Sequence, residues 1–253
     1  MRFGRPPDCP AEAGRGFGGL DMLIALDGLD GSGKETQTKL LLRELESAGI
    51  PYRYLSFPTY DPESCAAVNM YLGGRFGDDP ETVNGYAASS FFAVDRYCSF
   101  HLDWKKDYEE GKVIVANRYT TANAVHQLSK LPREQADEFL HWLYDFEFEK
   151  LGLPKPDIVF YLCLPPEVSE AMVEQRSRDT GRKEDIHEKS NKHLESSYRA
   201  ALYSSEKLGW EKIDCADPAG TGMRSRESIH REIMSILQNK YGMFKNWKGE
   251  ENI

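Results

Sequence analysis

Several features are missing from this sequence, and each absence narrows the field. No apolar run approaches the roughly 20 residues that a membrane span needs. Residues 1–19 lack the apolar core of a signal peptide. No C-x-x-C pair occurs among the five cysteines, Cys9, Cys65, Cys98, Cys163 and Cys215, which read as scattered thiols in a reducing compartment. Positive charge is in deficit: 32 Lys and Arg stand against 41 Asp and Glu, a net charge of −9. A nucleic-acid surface is therefore not expected, and an anionic ligand must be met by a local basic pocket rather than a global field. There is no internal repeat, no Ser/His/Asp or Cys/His set, and no Asn-Lys-x-Asp for guanine. The expectation is a cytoplasmic chain with neither membrane nor nucleic-acid partners.

What is present is ordinary in bulk. Hydrophobic residues make up 40% and charged residues 29% of 253, enough for one α/β domain with a sizeable core. Residues 1–20 are rich in Gly, Pro and Arg without apolar period and are expected to be disordered. From Met22 the pattern becomes regular. Met22–Leu26, Tyr52–Phe57, Val113–Ala116, Asp157–Leu164 and Trp210–Asp214 read as strands. Glu35–Ala48, Tyr86–Tyr108, Arg133–Leu151, a segment opened by Pro165-Pro166, and the stripe Ile229, Ile233, Ile236, Leu237 read as helices. Alternating strands and helices imply a doubly wound α/β/α sandwich around a parallel sheet.

The chemistry begins at Gly28-Leu29-Asp30-Gly31-Ser32-Gly33-Lys34, which joins an apolar strand to an amphipathic helix. That is the context a phosphate-binding loop requires. Glycines let backbone N–H groups converge on phosphate oxygens, and the helix N-terminus adds partial positive charge. Lys34 is placed to reach the transferred phosphate. The hydroxyl residue that usually follows the lysine and helps hold Mg²⁺ is here Glu35, with Thr36 next. Two readings stand for Glu35: a metal ligand, direct or through water, or an acid favoured by the helix dipole.

Further pieces give the pattern a family. Ser56-Phe57-Pro58 follows the second strand; Ser90-Phe91-Phe92-Ala93-Val94-Asp95-Arg96 lies on a helix; Val113-Ile114-Val115-Ala116-Asn117-Arg118-Tyr119 ends the third strand, with Gln127 beyond it; and Leu153-Pro154-Lys155-Pro156-Asp157 precedes the fourth. In this order, across roughly residues 22–240, they resemble the thymidylate kinases, P-loop enzymes that convert dTMP to dTDP. The resemblance implies a five-stranded P-loop fold with a mobile lid, ATP and Mg²⁺ as cofactors, small nucleotides as partners, and a homodimer. It gives Asp30 the deoxyribose 3′-hydroxyl, Phe92 the thymine ring, Arg96 the base or the acceptor phosphate, Arg118 the acceptor phosphate, and Gln127 a contact near the base. Phe57 and Pro58 join the acceptor site. Gly28, Leu29, Asp30, Gly31, Ser32, Gly33, Lys34, Glu35 and Thr36 hold the donor nucleotide.

The basic run Gln175–Lys183 falls where monophosphate kinases keep their lid, expected over about 176–188. No arginine occupies the variable positions of the phosphate loop, so the lid is expected to supply the catalytic cation through Arg178 or Arg182, with Arg176 stacking on adenine. Asn117 stands where the family has Asp before Arg-Tyr; Glu35 adds an acid nearby, and the two changes are read as compensating. The kinase domain is expected over 21–242, with a tail at 243–253. Two alternatives accompany this reading: another nucleoside monophosphate kinase, and a catalytically weak nucleotide-binding protein.

Overall fold

The computed structural model describes residues 22–180, 191–220 and 222–244, with the side chains of 176, 177, 179, 180 and 191 excluded. The expected N-terminal extension, part of the lid and most of the C-terminal tail lie outside this range. Among the described residues, five strands form one parallel sheet: β1 (Leu23–Gly28), β2 (Tyr52–Ser56), β3 (Val113–Asn117), β4 (Ile158–Cys163) and β5 (Glu211–Asp214), in the order β2-β3-β1-β4-β5. β1 and β4 are buried along their whole length and β3 along four of its five residues, while β2 and β5 are partly exposed. Central strands of a parallel sheet are covered on both faces, which is why they are written as near-continuous apolar runs.

Strand alternation sorts β1 between two cores. Leu23 and Ala25 face a cluster with Trp104, Tyr119, Phe139 and Leu140. Ile24 and Leu26 face the opposite cluster, with Leu41 and Leu45 of α1 (Lys34–Ser47) and Ile229, Ile233 and Leu237 of α9 (Arg226–Tyr241). The remaining helices are α2 (Ala66–Leu72), α3 (Gly85–Ser99), α4 (Lys105–Glu109), α5 (Thr121–His126), α6 (Ala136–Tyr144), α7 (Pro166–Thr180) and α8 (Asn191–Leu208). Asn84 caps α3 by accepting from the Ala87 N–H at 2.9 Å, and Ser225 caps α9 by accepting from Ser228 at 3.2 Å. None of the described helices is long and apolar enough to cross a membrane.

The structure corrects several expected boundaries. The single helix expected over Tyr86–Tyr108 is α3 and α4 joined by a π-helical turn, Phe100–Trp104. Arg133–Leu151 is a 3₁₀ turn, then α6, then a second π turn, Asp145–Lys150. The helix opened by the paired prolines continues to Thr180, so the first residues of the expected lid are helical. Helices α2, α5 and α8 were not anticipated. In α8 the buried positions include Ser197, Ser204 and Ser205, so its inward face is partly written in polar letters.

Candidate active site

The site sits at the carboxyl ends of β1, β2 and β3, where an open parallel sheet leaves a crevice beside its first strand. A cavity of about 690 Å³ opens there. Its floor is the loop between β1 and α1. A Cβ on Gly28 would come within 2.7 Å of the Leu162 carbonyl oxygen, so the turn admits only glycine. Gly33 adopts a left-handed φ of 86° at the start of α1 and leaves that helix without a side-chain cap. Uncapped N–H groups at a helix start want an anionic acceptor. The Lys34 ammonium donates to the carbonyl oxygens of Gly28 and Leu29 at 2.9 and 2.8 Å, folded back along the loop.

Arg118 follows β3 with a left-handed φ of 64°, an uncommon conformation for a residue with a side chain. Its guanidinium donates from Nη2 to Asp30 Oδ1 at 2.8 Å and from Nη1 to His126 Nε2 at 2.8 Å, with Asp27 Oδ1 3.5 Å away. Because arginine only donates, His126 Nε2 is the acceptor there. Asp27 is fully buried, accepts from Thr121 Oγ1 at 2.6 Å, and anchors the inner edge of the cluster. Burial alone would raise the pKa of Asp30. The Arg118 and Lys34 cations outweigh it and hold the carboxyl well below the usual carboxylate range. Two cations and two carboxylates thus balance before any phosphate arrives.

The opposite wall carries Phe92, Arg96, Asn123 and Gln127. Phe92 is half-buried on α3, its ring edge-on to Tyr71 at 6.3 Å. Gln127 is buried, and its Oε1 has no hydrogen-bond partner among the described residues. Arg96 is 2% exposed and pairs with Glu147, which is fully buried. The segment after β2 supplies Phe57, Pro58 and Tyr60, the first two joined by a cis peptide. Asp95 clamps that segment by accepting from the Thr59 N–H at 2.9 Å, Thr59 Oγ1 at 2.5 Å and Ser64 Oγ at 2.9 Å.

Of the residues expected from sequence, Asp30, Gly31, Gly33, Lys34, Glu35, Thr36, Phe57, Pro58, Phe92, Arg96, Arg118 and Gln127 all lie on the cavity wall. Leu29 and Ser32 are buried within the loop, and the Ser32 hydroxyl has no partner among the described residues. Glu35 is exposed and paired with Lys39 at 2.6 Å. Asn117 also lines the cavity, and its buried Oδ1 has no partner among the described residues. Among those residues no group of three or more His, Cys, Asp or Glu could hold a metal. The structure does not bring Arg178 to the cavity: it is exposed on α7, paired with Glu174 at 3.1 Å. Arg182 and the side chain of Arg176 lie outside the described residues. Sequence reasoning missed Tyr60, Asn123, Met223, Arg226 and Ile229, which also line the cavity. Asn123 was the most legible of these, lying six residues past Asn117 on α5, which Gln127 directly follows.

Comparison with known proteins gives a consistent result. The family model described as thymidylate kinase matches residues 26–218. A thymidylate kinase of Mycobacterium tuberculosis is 32% identical over 193 residues, covering 75% of this chain and 87% of that protein. A probable thymidylate kinase of Thermococcus kodakarensis is 32% identical over 225 residues, covering 87% and 99%. Among solved structures, a thymidylate kinase from Candida albicans superposes with a TM-score of 0.61 over 87% of this chain and 92% of that one, at 19% identity. That last likeness carries the fold alone.

Proposed function

The chain belongs to the thymidylate kinase family, and from that premise we propose that this cavity transfers the γ-phosphoryl group of ATP to dTMP, giving dTDP and ADP. The observation that carries the reading is the meeting, in one cavity, of a glycine-rich loop ending in Lys34 with a wall of Phe92, Arg96 and Gln127. The first is suited to a polyphosphate and the second to a flat base.

ATP enters with its phosphates over the loop, where the uncapped start of α1 and the glycine N–H groups receive them. Lys34 leaves the carbonyls of Gly28 and Leu29 for the phosphate that moves. dTMP lies across the cavity. Its thymine stacks on Phe92, its imide N–H meets Gln127 Oε1, which has no partner among the described residues, and a ring carbonyl accepts from Arg96. Asp30 takes the 3′-hydroxyl, and Arg118 turns its fork toward the 5′-phosphate. An oxygen of that phosphate attacks the γ-phosphorus, the bond to the β-bridging oxygen breaks, and ADP leaves. Protein groups do no covalent chemistry; they position the reactants and offset charge. To a lid arginine, Arg178 or Arg182, we assign the cation that offsets charge on the transferring phosphoryl group, and to Arg176 the adenine.

Mg²⁺ fits the donor set as an ion carried chiefly by phosphate oxygens and water rather than by a protein cage. Asn117, whose buried oxygen has no partner among the described residues, and Glu35, which lines the same cavity, are the residues we assign to hold it. Its chemistry there is to neutralise charge on the transferring phosphates.

The exposed apolar residues Val94, Tyr97 and Leu102, on α3 and its π turn, support a homodimer. The free thiols Cys65, Cys98, Cys163 and Cys215 support a reducing, cytoplasmic setting. The test is product analysis: ATP and dTMP should yield dTDP and ADP in equal amounts. Release of free phosphate without dTDP would contradict the reading.

A further inference from the structure

We propose that Glu147 is a positioning residue for the acceptor base, holding Arg96 as a fixed and charge-balanced donor on the cavity wall; this rests on the reading of that wall as the dTMP site. Glu147 is separated from Arg96 by 51 positions and is fully buried. All its hydrogen-bonding capacity is committed. Oε2 accepts from Arg96 Nε at 2.7 Å and Thr120 Oγ1 at 2.7 Å, and Oε1 accepts from Arg96 Nη2 at 2.5 Å and Asn123 Nδ2 at 3.0 Å. A carboxylate with four donors on it has no lone pair left for a proton or a metal, so it is neither base nor ligand.

What it does is orient. A guanidinium is planar, so fixing the Nε–Nη2 edge fixes the direction of every other N–H. Among the described residues, the remaining atom, Nη1, makes one long bond, 3.4 Å to the Tyr119 carbonyl oxygen, and Arg96 lies on the cavity wall. Arg96 therefore offers the cavity a donor whose aim is set before any ligand enters.

The pairing also sets which part of the nucleotide Arg96 reads. A buried arginine without a partner would draw in any phosphate. With its charge balanced by Glu147, it is suited to a neutral acceptor such as a pyrimidine carbonyl. The phosphate falls to Arg118, which is 16% exposed and held by single bonds to each partner. Of the two roles open to Arg96 from sequence, base and acceptor phosphate, the pairing selects the base.

Local structure explains how a glutamate comes to be there. Glu147 belongs to the π turn Asp145–Lys150 that ends α6. The turn buries Glu147 and Phe148 side by side while Glu149 and Lys150 remain exposed. Such turns recur at functional sites because they re-aim side chains that a regular helix would send elsewhere. Thr120 and Asn123, the other donors, lie beside or on α5, whose C-terminal neighbour is Gln127. One carboxylate thus ties together the elements that carry both base contacts.

A purely structural role would move stability or the amount of active enzyme, and both substrates alike. The experiment is steady-state kinetics of full-length Glu147→Gln with dTMP and ATP varied separately, alongside thermal unfolding. The expected result is a KM for dTMP raised about tenfold, the equivalent of one charge-assisted hydrogen bond, with the KM for ATP unchanged. Glu147→Asp, which keeps the charge, should recover part of the loss. Should Glu147→Gln fail to fold, Thr120→Val removes one bond to the carboxylate while keeping both charges, and should raise the KM for dTMP about threefold. An unchanged KM for dTMP in a folded variant, or equal rises for dTMP and ATP, would overturn the proposal. Absence of dTMP turnover by the wild-type protein would instead overturn the underlying reading, and this proposal with it.

Discussion

Replacing Phe92 with alanine separates a base-binding aromatic from a core aromatic. Phe92 is half-buried, one edge against Tyr71 and the rest on the cavity wall. Two losses follow from the truncation, and they are read by different instruments. Loss of a stacking partner costs about 1–3 kcal/mol per base, or roughly 5- to 150-fold in dTMP affinity. Loss of packing is smaller than in a full core, where Phe→Ala costs about 3–5 kcal/mol; half burial brings this to about 2 kcal/mol. For a chain of this length that lowers the melting temperature by about 4–8 °C and leaves the protein folded at 25 °C. Calorimetric titration of Phe92→Ala with dTMP and with ATP, each alone, measures the first loss without the second. dTMP binding should weaken within the stated range and ATP binding should hold. Equal weakening of both, or an unaltered dTMP affinity, would refute the stacking role.

Three further outcomes are expected. Lys34→Ala removes the cation nearest the transferred phosphate from a site that works by electrostatics, so kcat should fall at least about 10²- to 10³-fold with the circular dichroism spectrum unchanged; near-wild-type turnover would remove Lys34 from the mechanism. If Glu35 and Asn117 share a metal, Glu35→Thr and Asn117→Asp should couple by roughly 0.5–3 kcal/mol in a double-mutant cycle of activity against Mg²⁺ concentration; strict additivity would remove Glu35 from the metal site. Burial holds the His193 pKa down at about 4 against an ordinary 6.5. Between those values the unfolded chain binds a proton that the folded chain refuses. Stability should therefore drop by roughly 3 kcal/mol as pH falls from 6.5 to 4, and urea unfolding of His193→Gln should show a correspondingly shallower slope.

The parts of this fold that were legible in the sequence are those where one physical demand dominates. β1, β3 and β4 must be apolar on both faces, so their letters announce them. The phosphate loop needs glycines and a lysine at fixed spacing between a strand and a helix, and few other arrangements share that pattern. Where two demands overlap, the letters mislead. α8 buries Ser197, Ser204 and Ser205 against its neighbours, and serine carries no apolar signal. The π turns at Phe100–Trp104 and Asp145–Lys150 have no compositional mark, and with them Glu147 stayed hidden in an acidic stretch that resembles a solvated helix face. The arginine run after Gln175 reads as a lid, and most of it lies outside the described residues. Yet Arg178 has Glu174 one turn before it, a spacing of four that was readable as a surface ion pair and is one in the structure. Contacts made across the fold, such as Arg96 with Glu147, leave no local trace at all.

The central claim, that this cavity selects dTMP as phosphoryl acceptor, is tested most directly by coupled measurement of ADP release with dTMP, dUMP, dGMP and dCMP offered in turn. The imide edge of thymine matches the acceptor on Gln127 and the donor on Arg96, while cytosine presents the reverse pattern and guanine is a larger, two-ring base. The account predicts the highest kcat/KM with dTMP, a lower value with dUMP, and little turnover with dCMP or dGMP. Turnover of dCMP or dGMP equal to that of dTMP would contradict it.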